Sequence, residues 1–211
     1  MYTPEAYVET DRQVLFDRMR AWSFATLVTA VDGRVNATHL PFLLDVDDAG
    51  NAVLTTHFAR ANAQLKDLQA GAAALVVFQG PHAFISPSWY ARQLTFPTWN
   101  YTAIHARGQP ELVEDTAGVR AVLDRTVALY DTPLGGTWRF PDMPAELTAS
   151  RLRAIVALRI PVTELEGKFK LNQDKSVDDR RGVIAALEGL GDASGVAVAG
   201  LMREHPDLAL R

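Results

Sequence analysis

The sequence of 211 residues contains no cysteine. This absence excludes disulfide bonds, thiolate metal sites and thiol nucleophiles. The first residues have neither the basic region nor the apolar core of a secretory signal. No apolar run approaches the roughly 20 residues that a membrane-spanning helix requires. We therefore expect a cytoplasmic protein that does not cross a membrane.

Clusters of basic residues are also missing. The chain has 21 Lys and Arg residues against 25 Asp and Glu residues, which gives a formal net charge of −4. Nucleic-acid-binding proteins usually carry a basic patch, whereas this sequence shows only short groups such as Arg180-Arg181. Direct binding of DNA is therefore doubtful.

The sequence lacks the strong motifs of catalysis and metal binding. It has no P-loop, no glycine-rich dinucleotide motif, no HExxH and no nucleophile elbow. A metal site built on strands is one interpretation of His39, His57, His82 and His105. We favour half-buried strand histidines bonded to backbone, and we predict no metal site.

The apolar residues, 48% of the chain, predict short strands and amphipathic helices. Strands are predicted at 24–31, 34–46, 52–58, 72–79, 82–86, 99–108, 111–113 and 154–162. Helices are predicted at 11–21, 61–69, 116–130, 145–152 and 176–190, with one more from Asp192 that frays. The Asp32-Gly33 pair predicts a hairpin turn, and the first three strands predict an antiparallel meander.

These strands follow one another in hairpins rather than alternating with helices. The pattern favours a mainly β fold with helices, an antiparallel barrel, over a Rossmann-type sheet. We expect a single domain over residues 1–211, with a C-terminal helical segment at about 176–205.

The stretch 78–105 combines aromatic residues, prolines and two histidines. Rigid turns beside aromatic rings are typical of a binding surface for a flat ligand. The apolar strand at 72–78 and the aromatic stretch at 84–101 also offer more apolar surface than one small barrel covers. We therefore expect a homodimer.

Two further stretches contain candidate ligands for an anion. Arg60 and Asn62 fall where a strand gives way to a helix, a position that suits phosphate because the first helix amides are unpaired. A surface arginine and a plain helix cap are equally good interpretations. Lys168 and Lys170 follow the last predicted strand, in either a solvated basic loop or a cover over an anionic ligand.

Several long motifs then carry a resemblance across nearly the whole chain. They are THLP at residue 38, HFARAN at 57, VFQGPHAFISPSWY at 77, PTWNYTAIHARG at 97, and LEGKFKLNQDKS at 165 followed by DRRGVIAALE. In these motifs the sequence resembles the PaiB-type family of FMN-binding negative transcriptional regulators.

The resemblance implies a split β-barrel of the pyridoxamine-phosphate-oxidase type, a homodimer with FMN at the subunit interface. Arg60 and Asn62 would hold the phosphate of FMN. The isoalloxazine would be lined by Asn36, Thr38, His39 and Leu40, with Thr56 and His57 on the next strand and Gln79, Trp99 and Asn100 at the ring edge. The partner subunit would supply Lys168, Phe169, Lys170 and Gln173.

Three functions remain open from the sequence. The first is a flavin-binding redox protein. The second is a transcriptional repressor or sensor that acts through DNA or a protein partner. The third is a haem-binding or haem-degrading protein, because related split barrels hold haem and the chain has free histidines.

Overall fold

The computed structural model describes residues 1–204, which form a sheet of nine strands together with six α-helices. The strands are β1 (Val8–Glu9), β2 (Phe24–Val31), β3 (Arg34–Pro41), β4 (Leu43–Val46), β5 (Ala52–Ala59), β6 (Ala74–Ile85), β7 (Thr98–Gly108), β8 (Glu111–Val113) and β9 (Ile155–Lys170). The helices are α1 (Arg12–Ala21), α2 (Leu65–Gln69), α3 (Thr116–Tyr130), α4 (Ala145–Arg153), α5 (Val177–Leu190) and α6 (Ala193–Glu204). Short 3-10 helices lie at Glu5–Tyr7, Pro87–Trp89, Thr132–Leu134 and Phe140–Asp142.

The strand order is β3-β2-β6-β7-β9-β5-β4, and β1 and β8 also pair with β9. The pairings of β2 with β3 and β6, of β4 with β5, and of β9 with β1, β5 and β8 are antiparallel. The path ends at β3 and β4, so the sheet is open rather than a closed ring. The predicted mainly β, antiparallel architecture with helices is confirmed.

The chain divides into two compact units. The central unit contains residues 19–78 and 105–165, and the terminal unit contains residues 1–18, 79–104 and those from 166 onward. Strands β6, β7 and β9 contribute residues to both units. The prediction of a single domain over residues 1–211 stays a prediction.

The predicted hairpin at Asp32-Gly33 is confirmed in the central unit. Both residues have a positive φ, 49° and 76°, as a two-residue turn between twisted strands requires. The turn sets the register of β2 against β3, in which Thr26 faces His39 and Leu27 faces Thr38.

The expected three-stranded meander is wrong, because the segment 34–46 is two strands rather than one. β3 pairs with β2 and ends at Pro41, whereas β4 pairs with β5. Between them Phe42 is buried and its ring meets that of Phe78 edge-on at a centroid distance of 6.0 Å. A proline cannot donate to a ladder, and a buried aromatic residue follows it, so the chain changes partners here.

Three other boundaries differ from the predicted ones. β6 is continuous through Gly80-Pro81; its pairing with β2 covers only residues 74–77, so the missing N–H of Pro81 leaves no gap in that ladder. The helix predicted at 61–69 is only α2, five residues long. β9 continues eight residues beyond the predicted end at 162, so Lys168 and Lys170 lie on a strand rather than in a loop.

The helices α3 and α5 agree with their predicted positions, and their caps explain where they begin. The Asp115 side chain accepts from Gly118 N at 2.8 Å, and the Ser176 hydroxyl accepts from Asp179 N at 3.2 Å. The further helix predicted from Asp192 is α6. Residue 205 and the predicted fraying of the tail lie outside the described residues. None of the described helices is long and apolar enough to cross a membrane.

Two glycines of α5 provide a matched test of the packing in the terminal unit. A Cβ at Gly182 would lie 2.2 Å from the Trp89 carbonyl oxygen, whereas a Cβ at Gly189 would meet nothing within 4 Å. We expect Gly182→Ala to lower the free energy of unfolding by about 1–3 kcal/mol through overpacking. We expect Gly189→Ala to raise it by about 0.5–1 kcal/mol through helix propensity. Chemical denaturation measures both, and equal effects would contradict this packing.

Candidate functional site

A hydrogen-bonded network of polar side chains lies between β3 and α2 in the central unit. Asn36 and Thr38 are two residues apart on β3 and therefore share a face. The Asn62 Nδ2 group donates to the Thr38 hydroxyl at 3.0 Å, and the Thr38 hydroxyl donates to Gln64 Oε1 at 2.5 Å. The structure thus brings together three of the predicted site residues, Asn36, Thr38 and Asn62, through Gln64.

Gln64 was not among the predicted site residues. Only 2% of it is exposed, and its Nε2 group contacts Leu27 O at 3.2 Å, Asn36 O at 3.3 Å and the Thr29 hydroxyl at 3.1 Å. Thr29 stands on the otherwise apolar buried face of β2. A threonine among apolar residues on this face was the one feature of the sequence that indicated a buried polar partner such as Gln64.

The carboxylate of Asp67 ends this network. It accepts from Asn36 Nδ2 at 2.6 Å and from the Thr29 hydroxyl at 2.7 Å, and Arg34 lies 3.5 Å away. The hydrogen bonds from Asn36 and Thr29 lower the pKa of the Asp67 carboxyl below its ordinary value of 3.8. A charged, acceptor-only group therefore fixes which way Asn36 faces.

The remaining predicted residues on β3 and β5 occupy different faces. His39 lies on the opposite face of β3 from Thr38, and its Nδ1 is 2.9 Å from the Thr26 hydroxyl. Leu40 is buried, and the hydroxyl of buried Thr56 donates to Pro41 O at 2.6 Å. His57 is half-buried, and burial lowers its pKa. One strand therefore cannot present all four of the residues 36 and 38–40 to the same ring.

Arg60 is a half-exposed cation with contacts of its own. Its guanidinium donates to Glu114 Oε1 at 2.7 Å and to Ile155 O at 3.3 Å. The expectation of unpaired helix amides beside it is wrong at Gln64 N, which donates to Asn62 Oδ1 at 2.9 Å, and at Leu65 N, which donates to Asn62 O at 3.1 Å. A phosphate here would meet the guanidinium and the Asn62 amide rather than a helix end.

In the terminal unit, Lys168 and Lys170 share one face of β9. Lys168 is 8% exposed; its ammonium donates to Tyr2 O at 3.0 Å and lies 5.8 Å and 5.1 Å from the ring centres of Tyr2 and Tyr101. The Lys170 ammonium donates to Trp99 O at 2.7 Å and to the Thr98 hydroxyl. Burial lowers the Lys170 pKa. Within residues 1–204 neither ammonium has a carboxylate at ion-pair distance.

Four other predicted residues lie around these lysines in the terminal unit. Trp99 is 53% exposed, and its ring meets the Phe84 ring edge-on at 6.0 Å. Asn100, on the opposite face of β7, is completely buried with its Nδ2 group 3.5 Å from Met202 Sδ. Phe169 is buried. The side chain of Gln173 accepts a hydrogen bond from Leu171 N at 2.7 Å and donates one to Phe169 O at 2.5 Å. Gln173 therefore closes its own turn.

The last predicted residue, Gln79, is exposed on β6. No group of three or more His, Asp or Glu side chains among the described residues could hold a metal ion. In the central unit, hydroxyl and amide groups suit a polar ligand. In the terminal unit, two lysines that form no ion pair within residues 1–204 lie beside aromatic rings and suit a ligand that is flat and rich in acceptors. Each of these two sets of residues, taken by itself, fits a part of FMN.

The sequence comparison gives a family. The model of the family described as "Putative FMN-binding domain" matches residues 1–164. The chain is also 32% identical over 207 residues to "Protease synthase and sporulation protein PAI 2" of Bacillus subtilis (strain 168), a match that covers 97% of each chain. The expectation of FMN as the cofactor is confirmed by the family match.

Two solved structures show the same fold. The "FAD and Heme binding protein" from Mycobacterium smegmatis has a TM-score of 0.61 and 22% identity, covering 85% of this chain and 80% of that chain. The "Flavocytochrome Anf3" from Azotobacter vinelandii has a TM-score of 0.60 and 16% identity, covering 77% of this chain and 69% of that chain. The predicted split-barrel type of fold is confirmed, with the sheet left open.

Asp67 predicts a specific acid dependence of stability. Because its pKa is lower in the folded state, its stabilising contribution is complete above pH 3.8 and is lost as the pH falls below that value. We expect Asp67→Asn to lower the melting temperature at pH 7 and to lower it progressively less below pH 3.8. Thermal melts across this range measure the difference, with the exposed Asp48→Asn as control. A difference that does not change with pH would contradict the prediction.

Proposed function

Because the chain belongs to the family of FMN-binding domains that its sequence matches, we propose that it is a cytoplasmic, FMN-binding homodimer that acts as a flavin-dependent redox protein. FMN supplies the one- and two-electron redox chemistry when it is bound. The protein supplies binding, orientation and a defined electrostatic environment. Lysine, arginine, amide and hydroxyl side chains would provide them.

The observation that carries the proposal is the pair of lysines on β9. Lys168 is buried and Lys170 half-buried, and the groups that their ammoniums contact are carbonyls, a hydroxyl and aromatic faces. The nearby Asp174 carboxylate acts to raise the Lys170 pKa against the larger effect of burial, but its ion pair is with Lys175. A buried cation is costly unless an opposite charge compensates for it. Carbonyl oxygens of the isoalloxazine would accept hydrogen bonds from these ammonium groups, and the negative charge of a reduced flavin would compensate them.

The phosphate of the cofactor would lie at Arg60, and the two lysines would come from the partner subunit of the homodimer. A guanidinium presents planar donors that match phosphate oxygens, and Asn62 retains one amide hydrogen beyond its bond to Thr38. The Arg60 guanidinium forms an ion pair with Glu114 in the structure, so the phosphate would compete with this carboxylate. Asn36 and Thr38 would face the ring system, as the resemblance implies.

Exposed apolar side chains support the homodimer. Phe84 is 47% exposed beside Trp99, and Leu94 and Phe96 are almost fully exposed in the loop that precedes β7. Apolar patches of this kind mark association surfaces. In the strand at 72–78 only alternate residues face outward, since Val76 and Phe78 are buried, so the aromatic stretch would contribute most of the interface. A stable homodimer would bury more than about 2,000 Å² in total.

A regulatory role is the second candidate, because the similar Bacillus subtilis protein carries a name from sporulation. Along α5 and α6, Arg180 is buried, Arg181 lies 3.5 Å from Asp178, and Arg203 pairs with Glu188 at 2.9 Å. This helical pair therefore offers no basic face within residues 177–204. A sequence-dependent, nanomolar affinity for duplex DNA with a steep salt dependence would favour the regulatory role.

The absorbance spectrum of the purified protein tests the proposed function directly. Flavin bands that bleach anaerobically with a nicotinamide donor are the expected result. A Soret band would favour haem, which one structurally similar protein binds according to its name. Flavin bands that no donor bleaches would favour a sensor over a redox protein.

Arg60 can be tested with FMN and riboflavin, which lacks the phosphate. We expect Arg60→Ala to lower the affinity for FMN by about tenfold or more, because a charge-assisted contact to phosphate is lost. The affinity for riboflavin should fall far less. We expect Glu114→Gln to raise the affinity for FMN, since it frees the Arg60 guanidinium and removes a negative charge that repels the phosphate. The affinity for riboflavin should not change. Fluorescence titration measures the six affinities, those of the wild type and of both variants for each ligand. Equal losses of affinity for both ligands would show that Arg60 does not bind the phosphate.

A site at the subunit interface can be tested by mixing two defective variants. If Arg60 and Lys168 serve one site from different subunits, a mixed dimer of Arg60→Ala and Lys168→Met contains one intact site. Random exchange then restores FMN binding to about a quarter of all sites. Each variant alone serves as control, with circular dichroism to confirm folding. No recovery despite demonstrated exchange would place both residues in the same subunit's site.

A further inference from the structure

We propose that Gln64 fixes Thr38 and that Asp67 fixes Asn36 as hydrogen-bond acceptors, so that this face of β3 selects the ring N–H of the flavin over its carbonyl oxygens. The inference rests on the proposed FMN binding and names the part of the ligand that this face takes. Four side chains carry it, and backbone groups and a carboxylate set their orientations.

The orientation of the Gln64 amide is set by two backbone carbonyls. Its Nε2 group lies 3.2 Å from Leu27 O and 3.3 Å from Asn36 O, and carbonyl oxygens accept only. The opposite orientation would bring oxygen against oxygen in a buried position. The Oε1 atom of Gln64 must therefore face Thr38.

The orientation of the Asn62 amide is set by a backbone N–H. Gln64 N donates to Asn62 Oδ1 at 2.9 Å, and a backbone amide can only donate. The Nδ2 group of Asn62 is therefore the end that meets the Thr38 hydroxyl at 3.0 Å.

These two neighbours leave Thr38 with a single remaining capacity. A hydroxyl has one hydrogen and two acceptor lone pairs. The hydrogen goes to Gln64 Oε1 at 2.5 Å, and one lone pair accepts from Asn62 Nδ2. Since Thr38 is half-buried, what it can offer a ligand is one lone pair and no hydrogen.

Asn36 presents the same polarity two residues earlier on the strand. Its Nδ2 group donates to the acceptor-only Asp67 carboxylate at 2.6 Å, so its Oδ1 atom faces the other way. Within residues 1–204, Oδ1 has no hydrogen-bond partner. Two acceptors on one strand face suit a ligand edge that donates and repel an edge of oxygens.

The oxidised isoalloxazine has one ring nitrogen that carries a hydrogen, N3, whereas its other polar ring atoms are acceptors. The ribityl chain of FMN carries hydroxyl hydrogens, which are a second source of donors. N3-methyl-FMN separates the two sources, because methylation removes the ring N–H and leaves the ribityl hydroxyls and phosphate in place.

The experiment compares FMN with N3-methyl-FMN in the wild type, in Thr38→Val and in Thr38→Ser. We expect the wild type to prefer FMN by about tenfold or more. The isosteric valine should lower that preference by reducing the affinity for FMN while leaving the affinity for N3-methyl-FMN unchanged. This result would separate the loss of a hydrogen bond from steric exclusion of the methyl group. Serine retains the hydroxyl and should retain the preference.

Proton NMR with nitrogen-15-labelled FMN gives a readout that does not depend on affinity. The N3–H resonance should be shifted downfield and protected from exchange in the wild type and in Thr38→Ser, and should lose both features in Thr38→Val. Gln64→Met, which releases the Thr38 hydrogen, should also weaken the protection. Circular dichroism confirms that each variant is folded.

The outcomes separate this inference from the proposed function. FMN binding with equal affinity for the methylated ligand in the wild type would overturn the inference and leave FMN binding intact. A preference that survives unchanged in Thr38→Val would also overturn it. No binding of FMN to the folded wild type would instead overturn the proposed function, and this inference with it.

Discussion

The contact on which the central unit depends is the bond from the Gln64 side chain to the backbone of β2 and β3. Leu27 O and Asn36 O lie on neighbouring strands, and one amide group reaches both. The short segment that carries Arg60 and Asn62 is thereby held against the hairpin. A five-residue helix has little stability of its own, so this tertiary anchor rather than helix propensity fixes where the predicted ligand residues stand.

In the terminal unit, the corresponding question is how two lysine side chains are held in place. Two lysines on one face of β9 are held by carbonyl oxygens and aromatic faces. Such contacts position an ammonium without forming an ion pair, and the Asp174 carboxylate acts on Lys170 only beyond ion-pair distance. Arg60 in the central unit has the opposite arrangement, a cation with a carboxylate partner already in place. The two kinds of cation would therefore respond differently to an approaching anion.

Periodicity and turn chemistry predicted much of the fold. The Asp32-Gly33 hairpin and the helix capped at Ser176 follow from local signals. The division at Phe42 and the unbroken passage through Pro81 do not, because both depend on which neighbouring strand is present. The site shows the same limit. Sequence motifs found Thr38 and Asn62, yet Gln64 between them was missed, since its role exists only once two strands supply carbonyls.

The alternation along β9 has a consequence for how this chain can change over evolutionary time. Lys168 and Lys170 point to one side and buried Phe169 to the other, and β1 pairs with Gly167 and Lys168. A single inserted or deleted residue just before Gly167 would exchange the two sides, placing ammonium groups in the apolar layer and the Phe169 ring among the carbonyls that now hold the lysines. We expect lineages to vary this strand by substitution, and to confine length changes to the loops, such as the segment between α3 and α4.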